Sequence, residues 1–354
     1  MRLEKRTAVP AAAWVLAPLA AVGATLLVSS LLVLWAGAPV GPTWMAVLRG
    51  GFGSVFAWSE TLTRATPLIF TGLAITVAFQ ARLFNIGAEG QLYAGALAAI
   101  AVGGLHGGTG IDLPPVLLFV LMLAAAALAG ALLLLGPAWL KARLGVDEVV
   151  TTLLLNFVVL LGVSALLDGP LKDPTAMGWP QSVALKEGLE LAKLVTGSRV
   201  HTGLLGAMAA AGALWVLLRY SLPGFDIRAA GANARAAAFA GVPITRTVVL
   251  VALLSGALAG LAGAVEVAGR AGYVTLDMSP GYGYTGIVIA MLAGLRPLAV
   301  IAAAVFVAGV LVGADSMSRA MNVPSSIADV VVAASLLCVL VAALLAQYRV
   351  RWRT

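Results

Sequence analysis

Polar groups stand among glycines in the stretch Phe84-Asn-Ile-Gly-Ala-Glu-Gly-Gln91, within an otherwise apolar region of the chain. The amides of Asn85 and Gln91 and the carboxylate of Glu89 can hydrogen-bond a polar solute, and the Phe84 ring can supply contact area. The four-residue spacing of Asn85 and Glu89 predicts that both lie on one face of a helix. Such groups are costly in lipid, so we expect them to face protein or a wet cavity.

The glycines of this stretch, Gly87 and Gly90, allow the backbone to break or to pack closely. Membrane transporters use such breaks to expose backbone dipoles at a substrate site. A helix start held by hydrogen bonds between helices explains the same residues equally well, and the sequence leaves both interpretations open. Asn156 is a further amide in an apolar run and a candidate for the same pathway.

A second glycine-rich stretch, Ser279-Pro-Gly-Tyr-Gly-Tyr-Thr-Gly286, precedes an apolar run that is too short to cross a membrane alone. Such a segment can re-enter or break where protein or a cavity covers it. Tyr282 and Tyr284 are therefore candidates for the solute pathway. They are equally compatible with a place in the aromatic belt at the membrane interface.

Composition identifies the chain as a polytopic membrane protein, because 61% of its 354 residues are hydrophobic and only 10% are charged. It contains no GxxxxGK[ST] motif, so we expect any ATP hydrolysis to occur on another chain. The one cysteine, Cys338, excludes an internal disulfide and a cysteine-based metal site. We assign no catalytic and no metal-binding residues.

Apolar runs of roughly 20 residues, the length that crosses about 30 Å of hydrocarbon, occur about ten times. The predicted fold is therefore all-α, a polytopic helical membrane protein in one transmembrane domain, 1–354. The predicted spans are Pro10–Trp35, Leu62–Gln80, Leu83–Leu105, Pro115–Leu135, Val149–Leu167, Val200–Leu218, Ile244–Ala268, Gly283–Leu295, Leu298–Asp315 and Ile327–Gln347.

The distribution of Lys and Arg predicts that both termini are cytoplasmic, since that orientation places fourteen of the 22 basic residues inside. It also makes 168–199 an external loop, in which Gln181–Val195 is either a surface helix or a packed loop. The net charge of +7 fits this bias and indicates no nucleic-acid partner. The segment 224–241, a short Ala-rich helix carrying Arg228 and Arg235, is then cytoplasmic and suits docking to a soluble partner.

Five segments together resemble the permeases of ABC importers, in the branch that serves branched-chain amino acids, simple sugars and nucleosides. They are Phe84–Gln91, Thr152–Phe157, Arg228–Asn233, Ala236–Gly241 and Pro280–Ile287. The form Asn-Ile-Gly-Ala-Glu-Gly-Gln is most similar to the nucleoside-type members, and the likeness covers a permease core of 61–347.

This resemblance implies a permease in the inner or plasma membrane that acts with a second, related permease subunit or with a copy of itself. It also implies two ATP-binding subunits, which hold ATP and Mg, and an extracytoplasmic solute-binding protein or lipoprotein. The permease itself would bind no cofactor and would contact membrane lipid. Segment 224–241 would be the coupling helix, whose small residues allow close approach to the ATPase and whose Arg228 and Arg235 can pair with acidic groups. Arg235 is a departure, because relatives commonly have an acidic residue near this position.

The coupling residues that the resemblance implies are Arg228, Ala229, Ala230, Gly231, Asn233, Arg235 and Gly241. The predicted substrate pathway comprises Phe84, Asn85, Glu89, Gln91, Asn156, Tyr282 and Tyr284. Transport would proceed by alternating access, with a small polar solute, a nucleoside or simple sugar, as the cargo. The alternatives are a secondary transporter driven by an ion gradient, with Glu89 or Asp315 as its coupling group, and a passive channel.

Overall fold

A computed structural model describes residues 2–5, 11–104, 113–324 and 348–351, together with 326–327, 329–334, 337–338 and 341. The predicted all-α class is confirmed, because the described residues are almost wholly helical outside loops. The helices are α1 (Ala11–Trp35), α2 (Val40–Phe52), α3 (Val55–Gln80), α4 (Ala88–Gly103), α5 (Pro115–Leu144), α6 (Glu148–Asp168), α7 (Gly203–Tyr220), α8 (Leu222–Ala232), α9 (Ala234–Phe239), α10 (Ile244–Glu266), α11 (Tyr282–Leu292) and α12 (Pro297–Met321). A π-helical turn, Val267–Ala271, extends α10.

Two compact units make up the chain, one of residues 62–304 and one of residues 1–61 with 305–354. In the larger unit α10 packs tightly on α4 and α5 through Gly256 and Gly260, which form a GxxxG pattern. A Cβ atom on Gly260 would lie 2.1 Å from the carbonyl oxygen of Ala126, and one on Gly256 would lie 2.3 Å from that of Gly130. The backbones of α5 and α10 are therefore in direct contact, without side chains between them.

The other unit contains α1 and α2, which meet at an angle of 116°. Close packing recurs here, since a Cβ atom on Gly51 would lie 2.4 Å from the carbonyl oxygen of Gly309. Strands β1 (Arg2–Lys5) and β2 (Tyr348–Arg351) pair antiparallel, with Arg2 opposite Arg351. This two-stranded ribbon brings the ends of the described chain together.

Six of the described helices are long and apolar enough to cross a membrane, and the bent pair α1–α2 would make a seventh. The predicted number of ten spans is therefore not confirmed. Helices α4 and α11 are shorter, with 16 and 11 residues. Helix α2 was not predicted, and the predicted span Ile327–Gln347 lies partly outside the described residues.

The predicted span Leu83–Leu105 begins too early, because its first five residues are not helical and α4 starts at Ala88. Arg82 ends the preceding turn in the left-handed region, with φ of 54°. Asn85 then accepts a hydrogen bond from the Gly87 N–H, a local bond that competes with helix formation. The prediction that Asn85 and Glu89 share a helix face is therefore wrong, and Gly87 precedes the start of a helix and does not interrupt one.

The segment 168–199, for which an external location was predicted, contains no helix at Gln181–Val195, so the packed loop is the correct alternative. Two of its backbone N–H groups bond to the region of the π-helical turn after α10, at 2.8 Å from Leu185 to the Gly272 carbonyl and 2.8 Å from Leu191 to that of Ala268. Leu185 and Leu189 are buried by this docking. These leucines therefore contact the bundle from a loop and do not form the apolar face of a helix.

Candidate functional site

The loop Leu83–Gly87 joins α3 to α4 and is held by a reciprocal pair of amides. Nδ2 of Asn85 donates to Oε1 of Gln91 at 2.9 Å, and Nε2 of Gln91 donates to Oδ1 of Asn85 at 2.9 Å. Asn85 also donates to Oγ of Ser255 at 3.0 Å, and that hydroxyl donates to the Ala74 carbonyl at 2.7 Å. The two predicted amides are thus fully buried and tie α3, α4 and α10 together.

Asn156 connects α6 to the same loop and to α11. Its Oδ1 accepts from the Gly90 N–H at 2.8 Å, while its Nδ2 donates to the Ile86 carbonyl at 2.9 Å and to the Tyr284 hydroxyl at 3.1 Å. Asn156 itself is fully buried, whereas Tyr284 is 38% exposed. The amide therefore fixes the orientation of an accessible aromatic ring.

The carboxylate of Glu89 lies at the N-terminal end of α11. Its Oε2 accepts a hydrogen bond of 2.6 Å from the Gly283 N–H, where the positive end of a helix dipole favours a negative group. Glu89 is almost fully buried, and so is Tyr282 beside Gly283. The two glycine-rich stretches that the sequence offered as separate candidates are therefore one site.

Phe84 occupies the other border of the loop and is 42% exposed. Its ring packs edge-on against Phe79 with centroids 5.2 Å apart, and the Lys141 ammonium lies 5.9 Å from its centroid. The Phe84 N–H donates to Oε1 of Glu148 at 3.1 Å, and Lys141 pairs with the same oxygen. Glu148 thereby holds both the backbone and the cation next to this ring.

All seven predicted pathway residues lie close to the loop Leu83–Gly87. Two of their aromatic rings are accessible. Phe84 and Tyr284 offer aromatic surface, and the other five are buried and bonded within the chain. The amide of Asn85 is saturated by partners and that of Gln91 is bonded to it, so in this conformation they position the loop. Hydrogen bonding between helices, the second interpretation of the sequence, describes these two amides.

The segment 224–241 forms two short helices, α8 and α9, at one end of the bundle. Ser221 caps α8 through a bond from the Gly224 N–H, and Asn233 caps α9 through bonds of 3.1 Å from the N–H groups of Arg235 and Ala236. Arg228, Asn233, Arg235 and Gly241 are exposed, Ala229 is half-buried, and Ala230 and Gly231 are buried.

Gly231 packs against the bundle and not outward, so its small size serves a contact with α3 in this structure. A Cβ atom on Gly231 would lie 1.8 Å from the carbonyl oxygen of Gln80, the last residue of α3. Within 224–241 the most exposed large apolar side chain is Phe239 of α9, at 98%. The sequence analysis did not single out Phe239, nor the second aromatic of this segment, Phe225, which is 56% exposed on α8.

A polar pocket opens at the opposite end of α10, beside the π-helical turn, with a volume of about 630 Å³. Its charged and aromatic lining includes Glu190, Lys193, Arg270, Tyr273 and Asp277. The π-helical turn is a type of irregularity frequent at functional sites. The sequence analysis did not single out these residues, because they come from a loop and a turn whose contact only the fold reveals.

A family model described as branched-chain amino acid transport system / permease component matches residues 57–340 of the chain. The guanosine ABC transporter permease protein NupP of Bacillus subtilis is 36% identical over 326 residues, which make up 92% of each protein. The glucose ABC transporter permease protein TsgB13 of Haloferax volcanii is 39% identical over 84% of this chain and 79% of that protein. The nucleoside ABC transporter permease protein NupB of Lactococcus lactis is 29% identical over 90% and 89%, respectively.

Proposed function

The chain belongs to the family of branched-chain amino acid transport system permease components, and from that premise we propose that it imports a nucleoside, with a simple sugar as the second candidate. It is a multi-pass membrane protein and a permease subunit of an ABC transporter, as its relatives are. The sequence resemblance is thereby confirmed, and an ion-gradient-driven transporter or a channel is not favoured.

The observation that carries the choice of a nucleoside is the similarity over 92% of both chains to a protein named for guanosine. The accessible Tyr284 ring supports it, because an aromatic face next to polar groups suits a solute that carries a ring and hydroxyls. Phe84 would offer a second aromatic surface at the other border of the loop. The sugar alternative rests on the glucose permease at 39% identity.

The pathway, in this proposal, runs past the loop Leu83–Gly87 between the Phe84 and Tyr284 rings. Asn156 positions Tyr284 through its hydroxyl, and Glu89 anchors the start of α11. Three further residues are buried and would hold these groups in place without contacting the solute. They are Asn85, Gln91 and Tyr282. Alternating access would change which end of the bundle opens onto the two rings.

The partners in this proposal are two ATP-binding subunits, an extracytoplasmic solute-binding protein or lipoprotein, and a second permease subunit, either related or identical. ATP and Mg would be held by the ATP-binding subunits. The helices α8 and α9 would be the coupling element on the cytoplasmic side, together with both termini. Phe239 would enter the ATPase groove as the apolar anchor, with Arg235 pairing at its rim.

Co-purification from the native membrane tests the coupling element, with Phe239→Ala/Arg235→Glu as the variant. Trp179→Ala is the matched control, because Trp179 is a 62% exposed aromatic in the external loop. We expect an ATPase to accompany the wild type and the control, and to be lost from the double variant. Retention of the ATPase by the double variant would contradict the placement of the coupling surface.

Uptake into vesicles made with the whole complex tests the cargo and the driving force together. Labelled guanosine and glucose are offered in turn, with ATP present on the side of the ATPase or with an imposed proton or sodium gradient instead. We expect guanosine uptake that requires ATP and the solute-binding protein. Uptake of glucose alone would select the second candidate, and uptake driven by a gradient without ATP would overturn the assignment.

A further inference from the structure

A pocket of about 380 Å³ lies where α3, α7, α8 and the turn before α12 come together. Its volume falls in the range of about 300–1,000 Å³ typical of small-molecule sites. Three of its lining residues are arginines, Arg219 at the end of α7, Arg228 in α8 and Arg296 before α12. Each comes from a different element, so the fold brings together charges that are far apart in the sequence.

No acidic residue lines this pocket, and among the described residues no carboxylate forms an ion pair with Arg219, Arg228 or Arg296. All three are exposed. A cluster of three cations without a counter-ion repels itself, and the repulsion is relieved when an anion binds between them. Guanidinium groups bind the oxygens of phosphates and carboxylates in a paired, planar geometry, so the cluster suits an anion of either kind and the remaining lining has to decide between them.

The rest of the lining is apolar and comprises Trp215, Leu218, Leu295, Pro297, Leu298 and Ala299, with Gln80 as the remaining polar residue. Trp215 is 39% exposed and packs edge-on against Tyr220 with centroids 5.5 Å apart. Trp and Tyr concentrate at the level of the lipid headgroups, where one face of the ring is apolar and the other wet. A ligand that fills the whole pocket must therefore combine an anionic group with a hydrocarbon chain.

We propose that this pocket binds an anionic phospholipid of the cytoplasmic leaflet, with its phosphate between Arg219 and Arg296 and its acyl chain along Trp215 and Leu298. The inference rests on the proposed orientation, which places this end of the bundle in the cytoplasm. Basic pockets between helices on that side are typical binding sites for acidic headgroups. A soluble phosphate would leave the apolar lining uncovered.

Arg228 gives the lipid a connection to the coupling element, because the same residue belongs to α8. A headgroup bridging Arg228 to Arg219 and Arg296 fastens α8 to the ends of α7 and the α11–α12 turn. The bound lipid thus contributes exchangeable contacts between the bundle and the coupling element. An anionic lipid is then needed for efficient coupling and not only for solubility.

Native mass spectrometry of the purified permease tests the site, with phosphatidylglycerol and phosphatidylcholine of identical acyl chains as competing probes. The variant is Arg219→Gln/Arg296→Gln, and Arg143→Gln is the control, since Arg143 is an exposed arginine at the end of α5 outside the pocket. Each basic residue contributes about 1 kcal/mol to the attraction for an anionic lipid. We therefore expect the preference for phosphatidylglycerol over phosphatidylcholine to be about 30-fold weaker in the double variant. The control keeps that preference, and Arg219→Lys/Arg296→Lys retains most of it.

Glycerol 3-phosphate separates a lipid site from a site for a soluble anion. The proposal is overturned if this probe displaces phosphatidylglycerol at matched concentration, if the wild type shows no preference between the lipids, or if the control variant loses as much as the double variant. A permease that retains its ATPase but shows no lipid preference contradicts this inference alone. One that prefers phosphatidylglycerol but retains no ATPase contradicts the proposed function alone.

Discussion

The backbone N–H of Gly283 donates a hydrogen bond of 2.6 Å to Oε2 of Glu89, and the two residues are 194 positions apart in the sequence. The approach is close, because a Cβ atom on Gly283 would lie 2.2 Å from the backbone nitrogen of Glu89. The start of α11 is thereby fastened to the start of α4, next to the Tyr284 ring.

Replacing Glu89 by Ala is expected to destabilise the protein by about 1–3 kcal/mol, since the buried Gly283 N–H loses its acceptor. Glu89→Gln retains a side-chain oxygen and should lose much less. Thermal unfolding in detergent compares the two variants with the wild type. Equal losses in both would show that the charge of Glu89, and not the hydrogen bond to Gly283, holds this junction.

Tyr284 allows the ring and the hydroxyl to be tested separately. Tyr284→Phe removes the group that accepts from Asn156 but keeps the aromatic face, whereas Tyr284→Ala removes both. If the ring stacks on the solute, we expect Tyr284→Ala to raise the KM of uptake about tenfold, the order of one stacking contact, and Tyr284→Phe to change it little. Unchanged uptake in Tyr284→Ala would remove this ring from the pathway.

Gly260 tests the backbone contact between α10 and α5. In Gly260→Ala the new methyl would lie 2.1 Å from the Ala126 carbonyl oxygen, so the helices must separate at an expected cost of about 1–3 kcal/mol or more. Gly206→Ala in α7 is the control, because a Cβ atom there meets nothing within 4 Å. The unfolding temperature should fall in the first variant and stay level or rise in the second. A fall of equal size in both would contradict the packing.

His201 should make the stability of the protein depend on pH. The residue precedes α7, is 2% exposed, and packs on Gly203 and Gly269. Burial lowers the pKa of His201 from its ordinary value of 6.5. The unfolded chain therefore takes up this proton first as the pH falls. The stabilising contribution is fully present above about pH 6.5 and is lost progressively below it, down to the pKa of the folded state.

Unfolding temperatures of the wild type and of His201→Gln between pH 8 and pH 5 measure this effect. A neutral side chain at position 201 should flatten the part of the decline that begins near pH 6.5. Parallel curves for the two proteins would show that other groups cause the pH dependence.

Sequence reasoning correctly placed those ends of the apolar helices where the apolar run itself stops, but α3 begins at Val55 and not at Leu62, and α5 ends at Leu144 and not at Leu135. Pro10–Trp35 agrees with α1 to one residue, and the start of α10 at Ile244 agrees with the structure. Helix α2 escaped notice, since Val40–Phe52 contains three glycines, a proline and an arginine and does not read as an apolar run.

The sequence indicated which residues form the candidate site but not which partners they bind. The residue types identified Asn85, Gln91 and Asn156 as intramembrane amides, but nothing local indicates that each finds its partners within the chain. Those partners include Ser255 and Tyr284, more than a hundred residues away. Whether a buried amide faces a cavity or another helix depends on such distant contacts, and the three-dimensional structure is required to decide it.

The contact of Gly231 with the carbonyl of Gln80 leaves no space for even one additional carbon atom between α8 and the end of α3. If α8 is the coupling element that we propose, a displacement of α8 towards the bundle would have to move the end of α3 with it. Three residues further on, Leu83 begins the loop that carries Phe84 and Asn85. In the proposed function, only this contact and residues 81–83 separate the coupling element from the loop that borders the proposed solute pathway.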